Sequence, residues 1–233
     1  MTKIVAANFK TNHTKKTTKS YLESLEKKLL ASDKIYIFPT PIALCENNFK
    51  HLKVGTQNAY PILNGAFTGE VGLESLKELD IKTILIGHSE RRNILGESQK
   101  FCAEKFDFFA KEDFEIIYCV GEDISIREKG VENVKKFIKT QFENIPVQYP
   151  KLIIAYEPIW AIGSGMSASA EQIQQTHSFI KEISPAPVLY GGSVNIKNIA
   201  EILNIQEVDG VLVGSASLNI DSFYKIIQEA RNK

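Results

Sequence analysis

The sequence predicts a single α/β domain over residues 1–233, folded as one (β/α)8 barrel with eight parallel strands inside and helices outside. The first observation is that short apolar runs of β type alternate with segments whose apolar residues recur about every 3.6 positions. The second is that eight such runs in 233 residues give one strand-and-helix unit about every 30 residues. Hydrophobic strands that alternate with helices require a covered parallel sheet, and eight units close naturally into a barrel. An open doubly wound sheet is the alternative, and the lack of a G-x-G-x-x-G turn after the first strand weakens it.

The eight predicted strands follow one another along the chain. They are KIVAANF from Lys3, KIYIFP from Lys34, KVGTQN from Lys53, TILIG from Thr83, EIIYCV from Glu115, LIIAY from Leu152, PVLYG from Pro187 and GVLVG from Gly210. Apolar side chains at helical spacing predict helices between them. The clearest such faces are Leu22, Leu25 and Leu29; Val131, Val134, Phe137, Ile138 and Phe142; and Ile173, Ile180 and Ile183.

The sixth strand ends in the most informative stretch of the chain. Glu157 closes an apolar run, and a carboxylate there is costly to bury unless it has a partner or a task. Pro158 must end the strand, because proline cannot donate to a sheet ladder. From Pro158 to Ala168 there is no charged residue, and the segment carries Trp160 and a Gly-Ser-Gly tip. An uncharged loop of this kind suggests a lid that closes over a site and expels water, the alternative being a loop packed permanently on the surface.

The ends of the other strands carry polar and small residues. In a (β/α)8 barrel the chemistry lies at this edge, so Asn8 and Lys10 after strand one and His88 after strand four are candidate site residues. Strands seven and eight end in small-residue turns at Gly191–Ser193 and Gly214–Ser217. Backbone amides that converge there could hold a phosphate group.

Composition restricts the function classes. The chain has 28 basic and 28 acidic side chains and no long basic block, so neither nucleic acid nor an anionic membrane is an expected partner. Three cysteines are an odd number in a large domain, which suggests a reducing compartment. The N-terminal residues lack the apolar stretch of a signal peptide, and no run approaches the length of a membrane span. We therefore expect a cytoplasmic protein.

Seven motifs, each at the end of a predicted strand, occur in order. They are N-x-K from Asn8, QNAYPILNGAFTGE from Gln57, IGHSERR from Ile86, YCVGE from Tyr118, YEPIWAIGSG from Tyr156, YGGSV from Tyr190 and VGSAS from Val213. Through them the chain resembles triosephosphate isomerase, the family after which the TIM barrel is named, from Ala7 to Ser217. The resemblance implies interconversion of dihydroxyacetone phosphate and D-glyceraldehyde 3-phosphate, with no metal and no organic cofactor.

The chemistry of three residues agrees with what the resemblance implies. Glu157 under a water-excluding lid is a strong base for a proton on carbon. His88 precedes a short predicted helix, whose positive end disfavours imidazolium, so a neutral imidazole could polarise a carbonyl. Lys10 would supply a fixed positive charge beside the enediolate. The resemblance further implies that six residues contact substrate, namely Asn8, Lys10, Gly163, Ser193, Gly214 and Ser215.

A long loop from Ala59 to Gly72 has one charge and carries Ile62, Leu63 and Phe67. Because that composition would make an exposed apolar patch, an interface is expected there. The resemblance implies a homodimer in which Thr68 reaches the active site of the partner, so that an isolated monomer is poorly active.

Several residues leave alternatives open. Ser215 stands where the family has glycine, which is costly only if that position needs a positive φ or a very close backbone approach. Glu90 and Arg91 could form a structural ion pair, whereas the resemblance implies that Glu90 lies beside Lys10 and supports it. His13, His51 and His177 are expected on loops or helix surfaces.

Two other functions are also open from the sequence. One is a Schiff-base aldolase that uses Lys10 as its nucleophile. The other is a barrel that has lost catalysis and serves as a binding module.

Overall fold

The eight predicted strands form a nearly closed parallel barrel. The structure is a computed structural model, and it describes residues 2–162 and 167–233. The strands are β1 (Ile4–Asn8), β2 (Lys34–Phe38), β3 (Leu52–Val54), β4 (Thr83–Ile86), β5 (Glu115–Val120), β6 (Leu152–Tyr156), β7 (Val188–Tyr190) and β8 (Gly210–Val213). They pair in the order β3-β2-β1-β8-β7-β6-β5-β4, and a parallel bridge between Thr56 and Ile84 joins the two remaining edges. The predicted barrel is confirmed, and the open sheet is excluded.

Helices follow the strands on the outside of the barrel. Those in the described ranges are α1 (Lys15–Glu26), α2 (Leu73–Glu78), α3 (Ser89–Asn93), α4 (Gln99–Lys111), α5 (Ile124–Arg127), α6 (Val131–Thr140), α7 (Ala170–Ile183), α8 (Ile199–Asn204) and α9 (Ile220–Arg231). Single 3₁₀ turns occur at Pro41–Ala43, Ile159–Ala161 and Ser215–Ser217. Within the described part of the chain, none of these helices is both long and apolar enough to cross a membrane.

Local sequence explains where the longer helices begin. The side chains of Thr14 and Ser169 each accept a hydrogen bond from the backbone amide of the third residue of the following helix. The side chain of that third residue accepts one from the backbone amide of the cap. Such capping boxes satisfy amides that a helix start would otherwise leave unpaired. The helical faces predicted from apolar spacing are largely buried against the strands, as Leu22, Val134 and Ile173 illustrate.

The strands read as continuous apolar runs because both of their faces are buried. One face fills the barrel interior with a compact cluster of side chains from seven of the strands, namely Ile4, Ala6, Tyr36, Phe38, Leu85, Ile117, Cys119, Ile153, Ala155, Leu189 and Leu212. The other face packs on the helices in a larger apolar core. Because the described side chains fill the inside of the barrel, space for a ligand lies at the ends of the strands.

His177 corrects a prediction from the sequence. It was expected on a helix or loop surface, yet it lies on the inner face of α7 and is fully buried. Its ring lies 5.6 Å from that of Tyr156 and 6.5 Å from that of Tyr190 between centroids. Nδ1 lies 3.1 Å from the carbonyl oxygen of Glu207. Burial lowers the pKa of His177 to about 4, so the ring is neutral in the folded protein near neutral pH.

Candidate active site

A cavity of about 520 Å³ opens at the carboxyl ends of the strands. Loops that follow β1, β4, β6, β7 and β8 line it. The predicted site residues that it brings together are Asn8, Lys10, His88, Glu157, Ser193, Gly214 and Ser215. Gly163, the remaining predicted site residue, lies outside the described residues, as do Ser164 and Met166.

Glu157 is a buried carboxylate with a donor on each oxygen. Its relative exposure is 2%, its Oε1 lies 3.1 Å from Nε2 of His88, and its Oε2 accepts a hydrogen bond of 2.9 Å from the backbone amide of Ser89. Two such bonds offset much of the cost of removing a carboxylate from water. The carboxylate is therefore held in place, and each oxygen keeps a lone pair that a ligand can reach.

Two glycines leave the room that Glu157 needs. A Cβ on Gly121 would lie 1.7 Å from the carbonyl oxygen of Glu157, and a Cβ on Gly191 would lie 3.0 Å from its Cγ. Both glycines belong to motifs at strand ends, YCVGE and YGGSV. The small residues in these motifs thus shape the position of the carboxylate as well as turning the chain.

The ring of His88 is oriented by the start of α3. Nδ1 accepts a hydrogen bond of 3.2 Å from the backbone amide of Glu90, so the side chain acts as the N-cap of that helix. An accepting Nδ1 carries a lone pair, which assigns the proton to Nε2, the nitrogen that faces Glu157. These contacts favour the neutral imidazole, since an imidazolium would direct a second N–H at the amide donor.

Lys10 holds an unusual backbone conformation. Its φ is 52°, in the left-handed region, where a residue other than glycine costs about 1 kcal/mol or more. The side-chain oxygen of Asn8 accepts a hydrogen bond of 3.0 Å from the backbone amide of Lys10. The side-chain amide of Gln57 donates to the carbonyl oxygens of Lys10 at 2.8 Å and of Phe38 at 2.9 Å. Gln57 was not among the candidate residues, although a polar side chain just after the third strand, inside a quoted motif, was a usable signal.

The partner of Glu90 is Lys10. Nζ of Lys10 donates to Oε1 of Glu90, whose other oxygen lies 3.7 Å from Nδ1 of His88. Arg91 instead donates to Glu97, at 2.6 Å. Of the two alternatives left open by the sequence, the geometry therefore matches the supporting contact to Lys10 and not an ion pair between neighbours.

The turns after β7 and β8 line the same cavity as Glu157 and His88. The hydroxyl of Ser193 donates to the carbonyl of Ala161 at 2.6 Å, which ties the β7 turn to the start of the predicted lid. Ser215 begins a 3₁₀ turn and lies outside the left-handed region. Serine therefore carries no cost from a left-handed backbone here, which answers the part of the question that concerned a positive φ.

The leading end of the predicted lid is anchored to a buried acid. The carboxylate of Glu122 accepts from Trp160 at 3.1 Å, Tyr156 at 3.1 Å and Arg127 at 2.7 Å. Burial raises the pKa of Glu122, and the Arg127 charge partly opposes that shift. At the trailing end, the amide of Ala168 donates to the hydroxyl oxygen of Tyr190 at 3.4 Å. Through Trp160, Glu122 thus holds the first turn of the predicted lid.

Comparison with known proteins covers nearly the whole chain. The family model described as triosephosphate isomerase matches residues 3–230. Among similar proteins, triosephosphate isomerase of Wolinella succinogenes is 56% identical over 230 residues, which are 97% of this chain and 99% of that protein. The proteins of the same name from Sulfurovum sp. and Helicobacter pylori are 54% and 52% identical, over 96% and 97% of this chain and 99% of each relative.

Proposed function

The chain belongs to the triosephosphate isomerase family and is an isomerase, and on that premise we propose how its residues carry the reaction. Glu157 is the base, neutral His88 is the electrophile, and Lys10 is the fixed positive charge. The single observation that supports these roles best is the pairing of a carboxylate at 2% exposure with Nε2 of His88. One group there accepts a proton and the other donates one.

The proposed steps balance in protons and electrons. The carboxylate of Glu157 takes a proton from C1 of dihydroxyacetone phosphate, and the C–H electron pair becomes the C1–C2 double bond. As the C2 carbonyl oxygen gains charge, Nε2 of His88 donates a proton to it and then recovers a proton from the C1 hydroxyl. Glu157 finally returns its proton to C2, which gives D-glyceraldehyde 3-phosphate. This sequence requires no metal or organic cofactor.

The charged and polar walls of the cavity suit the ends of this substrate. Lys10, held by Glu90 and lying beside Gly214, places an ammonium near the enediolate and the phosphate. Asn8 acts by fixing the backbone of Lys10. The proposed phosphate contacts come from the turns at Ser193 and Gly214–Ser215, with Gly163 of the lid as the remaining contact.

A Schiff-base aldolase is not favoured by the same geometry. The ammonium of Lys10 is engaged by the carboxylate of Glu90, and a Schiff-base nucleophile must be a free neutral amine. The contact supports an electrostatic role for Lys10 instead.

We also propose that the active form is a homodimer. Apolar side chains near the mouth of the site are exposed, with Ile94 at 76% and Leu95 at 63%. A second cavity of about 290 Å³ adjoins the site, and Leu95 lines it together with Lys10 and His88. The loop of residues 59–72, which exposes Leu63 and Phe67, would cover this surface on a second copy and bring Thr68 into that cavity.

The proposed location is the cytoplasm. Cys45, Cys102 and Cys119 are free thiols, and burial raises the pKa of the last two, which makes them unreactive. Unpaired cysteines suit a reducing compartment. The formal net charge of zero supports a small-molecule substrate without a nucleic acid or membrane partner.

A coupled assay of D-glyceraldehyde 3-phosphate isomerisation tests the assignment of the base. Glu157→Gln removes the proton acceptor at constant size, so we expect kcat to fall by about 10²- to 10⁴-fold. Glu171→Gln, at an exposed carboxylate on α7, is the matched control and should retain wild-type activity. Full activity in Glu157→Gln would show that the base is misassigned.

A further inference from the structure

Side chains from other elements contact the last two residues of the turn after β8. Within residues 214–218, the amide of Ser217 donates to Gly214 at 2.9 Å and that of Leu218 donates to Ser215 at 3.1 Å. The amides of Ser215 and Ala216 precede these bonds, so the turn itself does not use them. Ser215, Ala216 and Leu218 all line the site cavity. The orientation of the amides of Ser215 and Ala216 therefore depends on the contacts that fix the other residues of the turn.

Two aromatic side chains hold the last two carbonyl groups of the turn. The hydroxyl of Tyr21 donates to the carbonyl oxygen of Ser217 at 2.7 Å, and Nε2 of His13 lies 3.1 Å from that of Leu218. Because a carbonyl accepts and does not donate, this contact assigns a proton to Nε2 of His13. Each peptide unit is planar, so a fixed Ser217 carbonyl also fixes the tilt of the Leu218 amide. That amide donates to the carbonyl oxygen of Ser215 at 3.1 Å, and the Ser215 carbonyl shares its peptide unit with the amide of Ala216.

The two rings are in turn fixed to the segment that carries Lys10. The ring of Phe9 lies 4.8 Å from that of His13 and 5.0 Å from that of Tyr21 between centroids. His13 and Tyr21 are themselves 5.6 Å apart. Phe9 stands between Asn8 and Lys10 in the sequence and is fully buried. His13 has a φ of 65°, a conformation that histidine tolerates better than most residues.

We propose that His13 and Tyr21 are positioning residues that hold the phosphate-binding turn after β8 in register with Lys10. They act through the carbonyls of Leu218 and Ser217, and they do not touch the substrate. This inference rests on the proposed function, because it assumes that the turn binds the phosphate of a triose phosphate. It concerns the phosphate end of the substrate alone, since the Glu157–His88 pair lies on other elements.

The test compares substrates with and without the phosphate. Tyr21→Phe removes one hydroxyl and keeps the ring; His13→Asn removes the ring and keeps a residue that tolerates the positive φ. For each variant we expect kcat/KM for D-glyceraldehyde 3-phosphate to fall about fivefold, as the loss of one neutral hydrogen bond implies. The inhibition constant of inorganic phosphate should rise by a similar factor. The far lower kcat/KM for unphosphorylated D-glyceraldehyde should stay within about twofold of wild type, because that substrate does not use the turn.

Tyr149→Phe is the matched control. Its hydroxyl also donates to a backbone carbonyl at 2.7 Å, that of Phe114, but Phe114 precedes β5 at the opposite end of the barrel. This variant should leave both substrates and phosphate inhibition unchanged.

Three results would overturn the proposal. One is an equal fall with both substrates, which indicates a general structural effect, and another is no change in either variant. The third is the same selective loss in Tyr149→Phe. If the wild-type protein isomerised neither substrate, the proposed function would fail; calorimetric binding of inorganic phosphate to wild type and Tyr21→Phe would still decide whether Tyr21 supports the turn.

Discussion

At the scale of single residues, Glu157, the proposed base, is positioned both by its hydrogen-bond partners and by the missing side chains of neighbouring glycines. Gly191 leaves little room for a side chain, since a Cβ there would lie 3.0 Å from Cγ of Glu157 and would push it aside. We expect Gly191→Ala to lower kcat by about ten- to a hundredfold through displacement of the carboxylate, with a folded protein by circular dichroism. Gly96→Ala is the comparison, because its positive φ of 72° is strained while nothing lies near the added atom. It should lose stability and keep kcat; a kcat of Gly191→Ala equal to wild type would contradict this view of the site.

His177 predicts a dependence of stability on pH. Its pKa in the folded protein is lowered from 6.5 to about 4, so between these values the unfolded chain binds a proton that the folded protein does not. Stability is complete above pH 6.5 and falls as the pH falls towards 4, by about 3 kcal/mol in total for this group. Urea unfolding at pH 7 and pH 5 measures the change. In His177→Phe the part of the pH dependence of the unfolding free energy that comes from His177 should vanish. An unchanged pH dependence would assign the acid sensitivity to other groups.

Sequence reasoning named the residues that meet in the candidate site but not all of their partners. Glu157, His88 and Lys10 stand at strand ends, where residue type alone indicates chemistry. The contact between Lys10 and Glu90 joins residues far apart in the chain, so the family resemblance suggested it and no local spacing did. The two contacts of the Gln57 side chain with the carbonyls of Lys10 and Phe38 were not predicted. His177 was misplaced although it follows Ile173 by four residues, the spacing of a buried helical face. Its polarity concealed a position that the helical period indicated.

At the scale of elements, the strands could be predicted from the sequence, whereas the contacts that anchor the predicted lid could not. Burial on both faces gives each strand an apolar run, a signal that is local in the sequence. The contacts that anchor the predicted lid involve Glu122 and Arg127 from one stretch of the chain and Tyr156 and Trp160 from another. No local pattern shows that such residues meet, since their contacts exist only once the barrel has formed.

The cluster of contacts that Glu122 makes with Arg127, Tyr156 and Trp160 predicts how substitutions of Glu122 change the stability of the fold. Glu122→Leu would leave Arg127 as a buried charge without this carboxylate, so we expect the free energy of unfolding to fall by about 3 kcal/mol or more. Glu122→Gln keeps an acceptor and should cost less. Guanidinium unfolding of both variants measures the difference. Equal stability of Glu122→Leu and wild type would mean that the cluster contributes no net stability.

At the scale of the whole molecule, the exposed apolar surface beside the site is the strongest argument for a dimer. Leu95→Lys places a charge on a side chain that is 63% exposed in the isolated chain, so it should spare the fold of the subunit and prevent pairing. Leu30→Lys changes a leucine at 51% exposure, which precedes β2 at the other end of the barrel, and serves as the control. Light scattering at micromolar concentration should show a dimer for wild type and Leu30→Lys and a poorly active monomer for Leu95→Lys. A fully active monomer would contradict the proposal.

The central claim is that the carboxylate of Glu157 moves a proton between carbons, and isomerisation in D₂O tests it most directly. The measurement follows D-glyceraldehyde 3-phosphate by NMR with wild type and Glu157→Asp, recording both product formation and deuterium on carbon. Shortening the side chain by one methylene withdraws the oxygen by about 1 Å, so we expect both to slow about a hundredfold or more. Wild-type product should carry deuterium, because a carboxylic acid exchanges its proton with solvent. Deuterium on carbon would exclude a hydride shift, which exchanges nothing with solvent. A wild-type rate in Glu157→Asp would contradict proton transfer by Glu157.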